Sequence, residues 1–287
     1  MHFAPCTENT VIAPYTSMRV GGPVRYLCRP ETEEQLMAVL AHCRAVSMPY
    51  LVIGNASNLL FPDEGYDGAV ITTVGIRGLS IEGDRITALC GTSLSALSIF
   101  AMEHGRKGLA FAYGIPGTVG GGVYMNAGAY GGEICHCLET AVCMDSAGNL
   151  VVLRKKELAL SYRHSRLQEE ELYLLRAIFR CEEGDKTEIK AEMDKNMAAR
   201  KEKQPLEFPS CGSAFKRPTG YFAGALIQEA GLKGFSIGGA QVSEKHAGFV
   251  INKGDATARD IKDLIKYVQE TVYAKSGVML EPEIRIL

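Results

Sequence analysis

The chain has 287 residues, which is enough for one large domain or two to three smaller ones with a packed core. A net charge of -2 indicates no extended basic surface, so we expect no nucleic-acid partner. No apolar run approaches the roughly 20 residues of a membrane span and no signal-peptide pattern opens the chain. We therefore expect a cytoplasmic protein without membrane contact.

In the first part of the chain, up to about residue 180, the residue pattern predicts short strands interleaved with helices. Thr32 and Gln35 have the spacing of a capping box, and Ser93 is a suitable N-cap for a second helix. The predicted helices cover 31–47 and 93–104, and the predicted strands cover 50–54, 69–74, 86–90, 150–153 and 172–179.

Beyond residue 187 the pattern changes, which predicts a boundary near residue 200 between a β-rich part and an α+β part. Helices are expected over 187–201, over 222–231 and from Thr257, the last with an apolar stripe of Ile261, Leu264, Ile265, Val268 and Val272. A strand is expected over 246–252, and 204–218 is expected to be an irregular loop. The final residues alternate, so Glu281, Glu283 and Arg285 should share one strand face.

The nine cysteines are an odd number, and most lie in apolar runs. This pattern is typical of small buried side chains in a reducing compartment, so we expect free thiols. Cys135 and Cys137 do not have a zinc-ligand spacing, and we expect no metal.

The glycine-rich segment 114–133, GIPGTVGGGVYMNAGAYGGE, is the strongest local signal. Ordering so many glycines in a regular helix or strand is costly, whereas their backbone N–H groups can approach an anion closely. The segment therefore indicates the diphosphate of a nucleotide cofactor. Its spacing is neither that of a P-loop nor that of a Rossmann motif, so we predict two consecutive anion-binding turns fixed by Pro116.

A set of segments in order along the chain resembles one family, the UDP-N-acetylenolpyruvoylglucosamine reductases, flavoenzymes that make UDP-N-acetylmuramate for peptidoglycan. The segments are VIGNASNLL (52–60), the glycine-rich segment, SYRHS (161–165), PSCGSAFKRP (209–218), AGLKG (230–234), SEKHAGFVIN (243–252) and LEPEIR (280–285). The chain is similar to the shorter members, which lack a substrate-gating loop.

The resemblance implies an α+β protein with an FAD-binding domain of the vanillyl-alcohol-oxidase (PCMH) type and a C-terminal α+β substrate-binding domain. The expected bounds are 1–200 for the FAD-binding part, in two subdomains of about 1–70 and 71–200, and 201–274 for the substrate-binding domain. Residues 275–287 should form a final strand that returns to the FAD part. We expect a monomer.

The chain departs from the family pattern at two positions. Ala56 stands where the first loop usually has a second glycine, and we expect little cost if its φ is negative. Arg217 stands where the family usually has an asparagine after Lys216, so an arginine contact to the substrate diphosphate is expected instead.

The family reaction uses NADPH to reduce FAD and reduced FAD to reduce UDP-N-acetylglucosamine enolpyruvate. Hydride goes from flavin N5 to C3 of the enolpyruvyl group, and a proton goes to C2. Ser213 matches the proton donor, Arg163 matches the arginine at the substrate carboxylate, and Glu283 matches the acidic residue near the reacting carbon. Glu281 is a competing choice for that acid.

The resemblance also implies the ligand contacts. The expected non-covalent FAD site contains Gly54, Asn55, Ala56, Ser57, Asn58, Gly114, Ile115, Pro116, Gly117, Val119, Gly120, Gly121, Asn126, Gly128, Ala129 and Tyr130. The expected substrate contacts are Lys203, Lys216, Arg217, Tyr221, Gln228 and Asn252. The basic residues Arg200, Lys201, Lys203, Lys216 and Arg217 should together supply a local positive field.

Two other interpretations remain open. The chain could be a flavin-dependent oxidase of the same FAD fold, with His136 or Cys137 as a covalent FAD tether. It could also be a nucleotide-binding protein without catalysis, which a flavin spectrum would exclude.

Overall fold

A computed structural model describes residues 4–287. The strands are β1 (Cys6–Val11), β2 (Pro23–Cys28), β3 (Tyr50–Ile53), β4 (Leu59–Leu60), β5 (Tyr66–Thr72), β6 (Leu79–Glu82), β7 (Arg85–Leu89), β8 (Gly128–Ala129), β9 (Gly132–Glu133), β10 (Leu138–Met144), β11 (Leu150–Arg154), β12 (Tyr173–Arg180), β13 (Ser210–Ser213), β14 (Ser236–Ile237), β15 (Ala240–Val242), β16 (Phe249–Asn252) and β17 (Arg285–Ile286). The α-helices are α1 (Glu33–Ala45), α2 (Leu94–Glu103), α3 (Val119–Tyr124), α4 (Ile134–Cys137), α5 (Lys186–Lys203), α6 (Ala223–Glu229) and α7 (Ala258–Ser276).

The first of two compact units comprises residues 4–8, Tyr26–Asn55 and Gly68–Ala199. Its larger sheet is antiparallel, with strand order β11-β10-β12-β7-β6. A second sheet has the order β1-β2-β5-β3, in which β3 and β5 are parallel. The predicted capping residues Thr32 and Ser93 accept hydrogen bonds from the third residue of α1 and of α2, which confirms both helix starts.

The second unit comprises Asn9–Arg25, Ala56–Asp67 and Arg200–Leu287. Its antiparallel sheet has the order β13-β16-β15-β14, and the predicted apolar stripe of α7 is buried in the core of this unit. Thr257 and Asp260 form a capping box at the start of α7. Asp63 also accepts hydrogen bonds from the N–H groups of Ala258 and Arg259, at 2.7 and 3.0 Å. A carboxylate at a helix N-terminus is stabilising, so this end of α7 is firmly held.

Two short segments that the sequence assigned to the FAD-binding part cluster with the second unit instead. Met18, Val20 and Leu60 come from these segments and are buried in its core. The last strand, β17, pairs in parallel with β4 inside the same unit. Hydrophobic burial between residues distant in sequence decides this grouping, and no local pattern reports it.

The glycine-rich segment contains a helix, contrary to the prediction of turns alone. Thr118 caps α3 by accepting a hydrogen bond from the N–H of Gly121 at 3.3 Å. A Cβ at Gly120 would lie 3.2 Å from the carbonyl oxygen of Cys90, and one at Gly122 would lie 3.0 Å from Leu94. Close packing of α3 against these residues therefore favours glycine and offsets its poor helix propensity.

Two further predictions were wrong in detail. The expected loop 204–218 contains β13, because Ser210 pairs with Ile251 and Ser213 pairs with Phe249 of β16. The expected final strand is broken: within 278–287, only Arg285–Ile286 is assigned as strand. Tertiary pairing, rather than propensity, decides the structure of both segments.

The cysteines are not all free. Cys6 and Cys28 lie on the adjacent strands β1 and β2 and form a disulfide, which corrects the expectation of free thiols throughout. The other seven are free, and all of these except Cys135 are buried. Within residues 4–287, we find no helix both long enough and apolar enough to cross a membrane.

Candidate cofactor site and active site

Two segments predicted to bind the cofactor contact each other directly in the first unit. The amide Nδ2 of Asn55 donates to the carbonyl oxygen of Pro116 at 2.9 Å. A Cβ at Gly54 would lie only 2.2 Å from Oγ1 of Thr118. The loop after β3 and the turn before α3 are therefore joined at close range, as the FAD assignment requires.

A cavity of about 470 Å³ opens beside this junction, within the size range of small-molecule sites. Its lining combines the predicted Asn55, Ile115, Pro116 and Gly117 with residues that the sequence analysis missed. The missed lining residues are Val74, Arg77, Gly78, Leu79, Gly91, Thr92, Ser93, Ser95, Ala96 and Thr118. Ser93 was predicted only as a helix cap, and the glycine at 91, shortly after β7, is the sequence feature that could have pointed to this part of the lining.

Most backbone N–H groups of the glycine-rich segment are already used inside the protein. Gly114 donates to Ser95 Oγ, Val119 to the carbonyl of Thr92, and Gly120 to the carbonyl of Cys90. Among residues 4–287, the N–H groups of Gly117 and Thr118 have no partner. Of the N–H groups in the predicted anion-binding turns, these two donors therefore remain available, and both residues line the cavity, where they fit an anionic diphosphate.

Asn126 organises the second half of the glycine-rich segment and is itself buried. Its Nδ2 donates to Glu133 Oε2 at 2.9 Å and to the Ser161 carbonyl at 3.0 Å, while its Oδ1 accepts from the Cys135 N–H. Because these bonds use both the donor and the acceptor side of the amide, Asn126 acts by ordering the loop.

The β8–β9 hairpin follows Asn126 and carries the predicted residues Gly128, Ala129 and Tyr130. Arg163 lies against this hairpin: its Nη2 is 3.5 Å from the Gly128 carbonyl oxygen, and its guanidinium lies 5.0 Å from the ring centre of Tyr162. Arg163 is half-buried, whereas Tyr162 is exposed. The arginine therefore lies beside Gly128, one of the residues predicted to bind the cofactor.

Ser213 is positioned in the second unit by a bulge in β13. The register of β13 against β16 shifts between Ser210 and Ser213, and Gly212 in between has φ of 73°. A positive φ suits glycine, and bulges re-aim the side chain that follows them. The thiol of Cys211 donates to the Leu59 carbonyl and anchors the bulge.

Glu283 lies close to Ser213 in the backbone network. Its N–H donates to the carbonyl of Ala214 at 2.8 Å, and Asn58 Nδ2 donates to the carbonyl of Glu283 at 3.0 Å. By contrast, the carboxylate of Glu281 forms an ion pair with Lys216 Nζ. Glu281 is thus the counter-ion of a predicted substrate lysine. The backbone bond from Glu283 to Ala214, the neighbour of Ser213, is what favours Glu283 as the acid near the reacting carbon.

The predicted substrate residues differ in how available their side chains are. The guanidinium of Arg217 stacks over Phe222 at 4.0 Å, and Tyr221, Gln228 and Lys203 are exposed. Asn252 is buried: its amide donates to the Met18 carbonyl and accepts from the N–H groups of Gly254 and Ala256. We therefore remove Asn252 from the candidate ligands, since its amide holds the fold of this unit.

Strained backbone coincides with the predicted site. Among residues 4–287, eight non-glycine residues have positive φ, and they include Ala56, Asn126, Tyr130 and Arg163. Such conformations cost about 1–3 kcal/mol each and cluster at functional sites. Ala56 has φ of 45°, so the condition of a negative φ, under which alanine was expected to cost little, is not met.

We expect Ala56→Gly to change the free energy of unfolding by less than about 1 kcal/mol. Relief of strain at positive φ is offset by the lost burial of a methyl group and by the greater entropy of an unfolded glycine. Ala56→Val should destabilise by more than about 2 kcal/mol, because a β-branched side chain at positive φ adds strain to overpacking. Urea denaturation of both variants measures this, and a Val variant as stable as the Gly variant would contradict it.

The alternative of a covalent flavin tether gains no support. Contact with Cys181, together with burial, raises the pKa of the Cys137 thiol and disfavours the reactive thiolate. Nδ1 of His136 accepts the N–H of Glu133 in the capping box of α4.

Comparisons with known proteins agree with this geometry. A family model described as FAD binding domain matches residues 24–154, and one described as UDP-N-acetylenolpyruvoylglucosamine reductase, C-terminal domain, matches residues 204–287. The reductase of Caldicellulosiruptor bescii is 50% identical over 275 residues, covering 95% of this chain and 88% of the relative. That of Streptococcus pyogenes is 46% identical over 287 residues, covering 100% and 97%.

A solved structure gives the same result. The crystal structure of UDP-N-acetylenolpyruvylglucosamine reductase from Thermus caldophilus has a TM-score of 0.85 and 36% identity, covering 99% of this chain and 98% of that chain. The expected α+β fold, with an FAD-binding domain followed by the C-terminal domain of this family, is therefore confirmed. The chain belongs to the UDP-N-acetylenolpyruvoylglucosamine reductase family of FAD-dependent oxidoreductases.

Proposed function

We propose that this chain reduces UDP-N-acetylglucosamine enolpyruvate to UDP-N-acetylmuramate with NADPH as the reductant. The observation that carries the proposal is the backbone hydrogen bond from the N–H of Glu283 to the carbonyl of Ala214, the residue next to Ser213, in a chain of this family. When bound, FAD supplies the hydride that reaches C3 of the enolpyruvyl group. Gly54–Asn58, the glycine-rich segment and the cavity beside them would hold the cofactor without a covalent bond.

Ser213 is assigned the proton transfer to C2. A serine hydroxyl is a weak acid, so it can act only on a strongly basic, enolate-like carbon and only when it is well aimed. The Gly212 bulge and the pairing of Ser213 with Phe249 supply that aim. Glu283, on the neighbouring segment, is assigned to polarise the double bond or to assist the proton transfer.

Arg163 is assigned the substrate carboxylate, on which negative charge grows as C3 receives hydride. A guanidinium can bind a carboxylate through two parallel hydrogen bonds and stabilise that charge. Its contact with the Gly128 carbonyl fixes its place beside the cofactor loop.

Lys203, Lys216 and Arg217, with Tyr221 and Gln228, are assigned to the nucleotide diphosphate end of the substrate. The carboxylate of Glu281 holds Lys216, and Phe222 supports the plane of Arg217. In this assignment, the positive charges of Lys203, Lys216 and Arg217 lie at the negatively charged diphosphate of the substrate and attract it.

Arg217→Asn should raise KM for the substrate about 10-fold or more and leave bound flavin unchanged, because it removes a charge-assisted contact to the diphosphate. Steady-state kinetics and the flavin-to-protein absorbance ratio measure the two effects. Loss of FAD with an unchanged KM would show that this loop contacts the cofactor instead.

Anaerobic stopped-flow spectroscopy tests the function. NADPH should bleach the flavin absorbance of the purified protein, and UDP-N-acetylglucosamine enolpyruvate should restore it. UDP-N-acetylglucosamine, which lacks the enolpyruvyl group, is the matched control and should not restore it. A protein that NADPH does not bleach, or that only oxygen reoxidises, would contradict the proposal and favour an oxidase.

A further inference from the structure

Arg77 is the one charged side chain among the residues that line the cavity of the first unit. Its Nε donates to the carbonyl oxygen of Val74 at 2.5 Å, which fixes the plane of the guanidinium. Within residues 4–287, no acidic side chain pairs with it, and its two terminal nitrogens have no protein partner. A solvent-exposed guanidinium that has no acidic partner therefore lines a site of small-molecule size.

The same cavity presents other donors without partners. The N–H groups of Gly117 and Thr118 are unpaired. Ser93 and Ser95 each accept a hydrogen bond from a backbone N–H and can still donate through their hydroxyl hydrogens. Unpaired donors and one positive charge without an acidic partner describe a site for an anion rich in hydrogen-bond acceptors.

We propose that Arg77 binds the adenosine-side phosphate of FAD, which FMN lacks, and so sets the preference of this chain for FAD over FMN. The inference rests on the proposed placement of FAD in this cavity. The isoalloxazine ring is uncharged, whereas the diphosphate is an anion, so the charge of Arg77 belongs with the diphosphate. A guanidinium also matches two phosphate oxygens at once, which an ammonium group does not.

Arg77→Gln should weaken FAD binding by about 10- to 100-fold, the usual effect of losing a charge-assisted hydrogen bond. It should also reduce the salt dependence of the FAD dissociation constant, because one ion pair is lost. FMN keeps the flavin-side phosphate but lacks the adenosine-side phosphate and adenosine, so the affinity for FMN should change less than threefold. The FAD affinity of Arg77→Lys should lie between those of the wild type and Arg77→Gln.

Calorimetric titration of the flavin-free protein with FAD and FMN at two salt concentrations measures these values without any turnover. Lys156→Gln is the matched control, because it also removes one positive charge, but from an exposed residue that does not line the cavity. Unfolding curves of the flavin-free variants show whether each is folded. An Arg77→Gln protein with wild-type FAD affinity, or with equal losses for FAD and FMN, would overturn the inference.

A second variant separates this inference from the placement of FAD. Ala96 lines the cavity, and Ala96→Leu should fill part of it and weaken FAD binding about 10-fold or more. If Ala96→Leu has no effect, FAD does not occupy the cavity and the placement fails. If Ala96→Leu weakens binding while Arg77→Gln does not, the placement stands and only the role of Arg77 fails.

Discussion

Ser213→Ala is expected to separate the two half-reactions. NADPH should still bleach the flavin at close to the wild-type rate, because that step needs no proton at C2 of the substrate. Restoration of the flavin absorbance by UDP-N-acetylglucosamine enolpyruvate should slow by about 100- to 10,000-fold, the usual cost of losing a general acid. Stopped-flow absorbance measures both rates in the same sample.

Ser210→Ala is the matched control, because Ser210 lies on the same strand and pairs with Ile251, but has no assigned chemistry. It should behave like the wild type in both steps. Ser213→Cys, which keeps a transferable proton, should retain more activity than Ser213→Ala. Wild-type reoxidation in Ser213→Ala would show that another group protonates C2.

Gly54→Ala is expected to release FAD and destabilise the first unit. The new Cβ would lie 2.2 Å from Thr118 Oγ1, and Thr118 is buried and caps α3. Thr118 can move only by giving up that cap, so overpacking should cost about 1–3 kcal/mol. The displaced turn carries the unpaired N–H groups of Gly117 and Thr118, so FAD affinity should fall at least about 10-fold. Thermal unfolding and FAD titration measure both effects.

Thr118→Ala distinguishes the clash from the loss of the cap. Alone, it should cost about 0.5–2 kcal/mol through the missing cap. In combination with Gly54→Ala it should cost less than the sum of the two single changes, because the smaller side chain removes most of the clash. Strict additivity, or wild-type FAD affinity in Gly54→Ala, would contradict the close junction of these two segments.

Much of this protein was predictable from the sequence because its signals are local. The caps Thr32, Ser93 and Thr257 act within one helical turn, so their spacing alone locates the helix starts. The α7 stripe follows the helical period and was predicted residue by residue. The ordered set of motifs identified the family, since each motif is a continuous stretch of chain.

Tertiary contacts decided what the local patterns could not report. Whether a glycine-rich segment forms a turn or a helix depends on what packs against it. Here α3 packs closely against Cys90 and Leu94. No local pattern predicts the positive φ of Ala56, or the lack of an acidic partner for Arg77 among residues 4–287.

The sequence by itself determined the family, the FAD-binding character and most helices of this chain, since these rest on residue identity at short spacing. Only the tertiary structure decided which backbone N–H groups of the glycine-rich segment remain free and which acid is already paired with Lys216. It also decided that Asn252 is buried and hydrogen-bonded to Met18 within the protein. The physical reason is that a donor or charge is available to a ligand only if no protein group has taken it, and the partners of these groups lie far away along the chain.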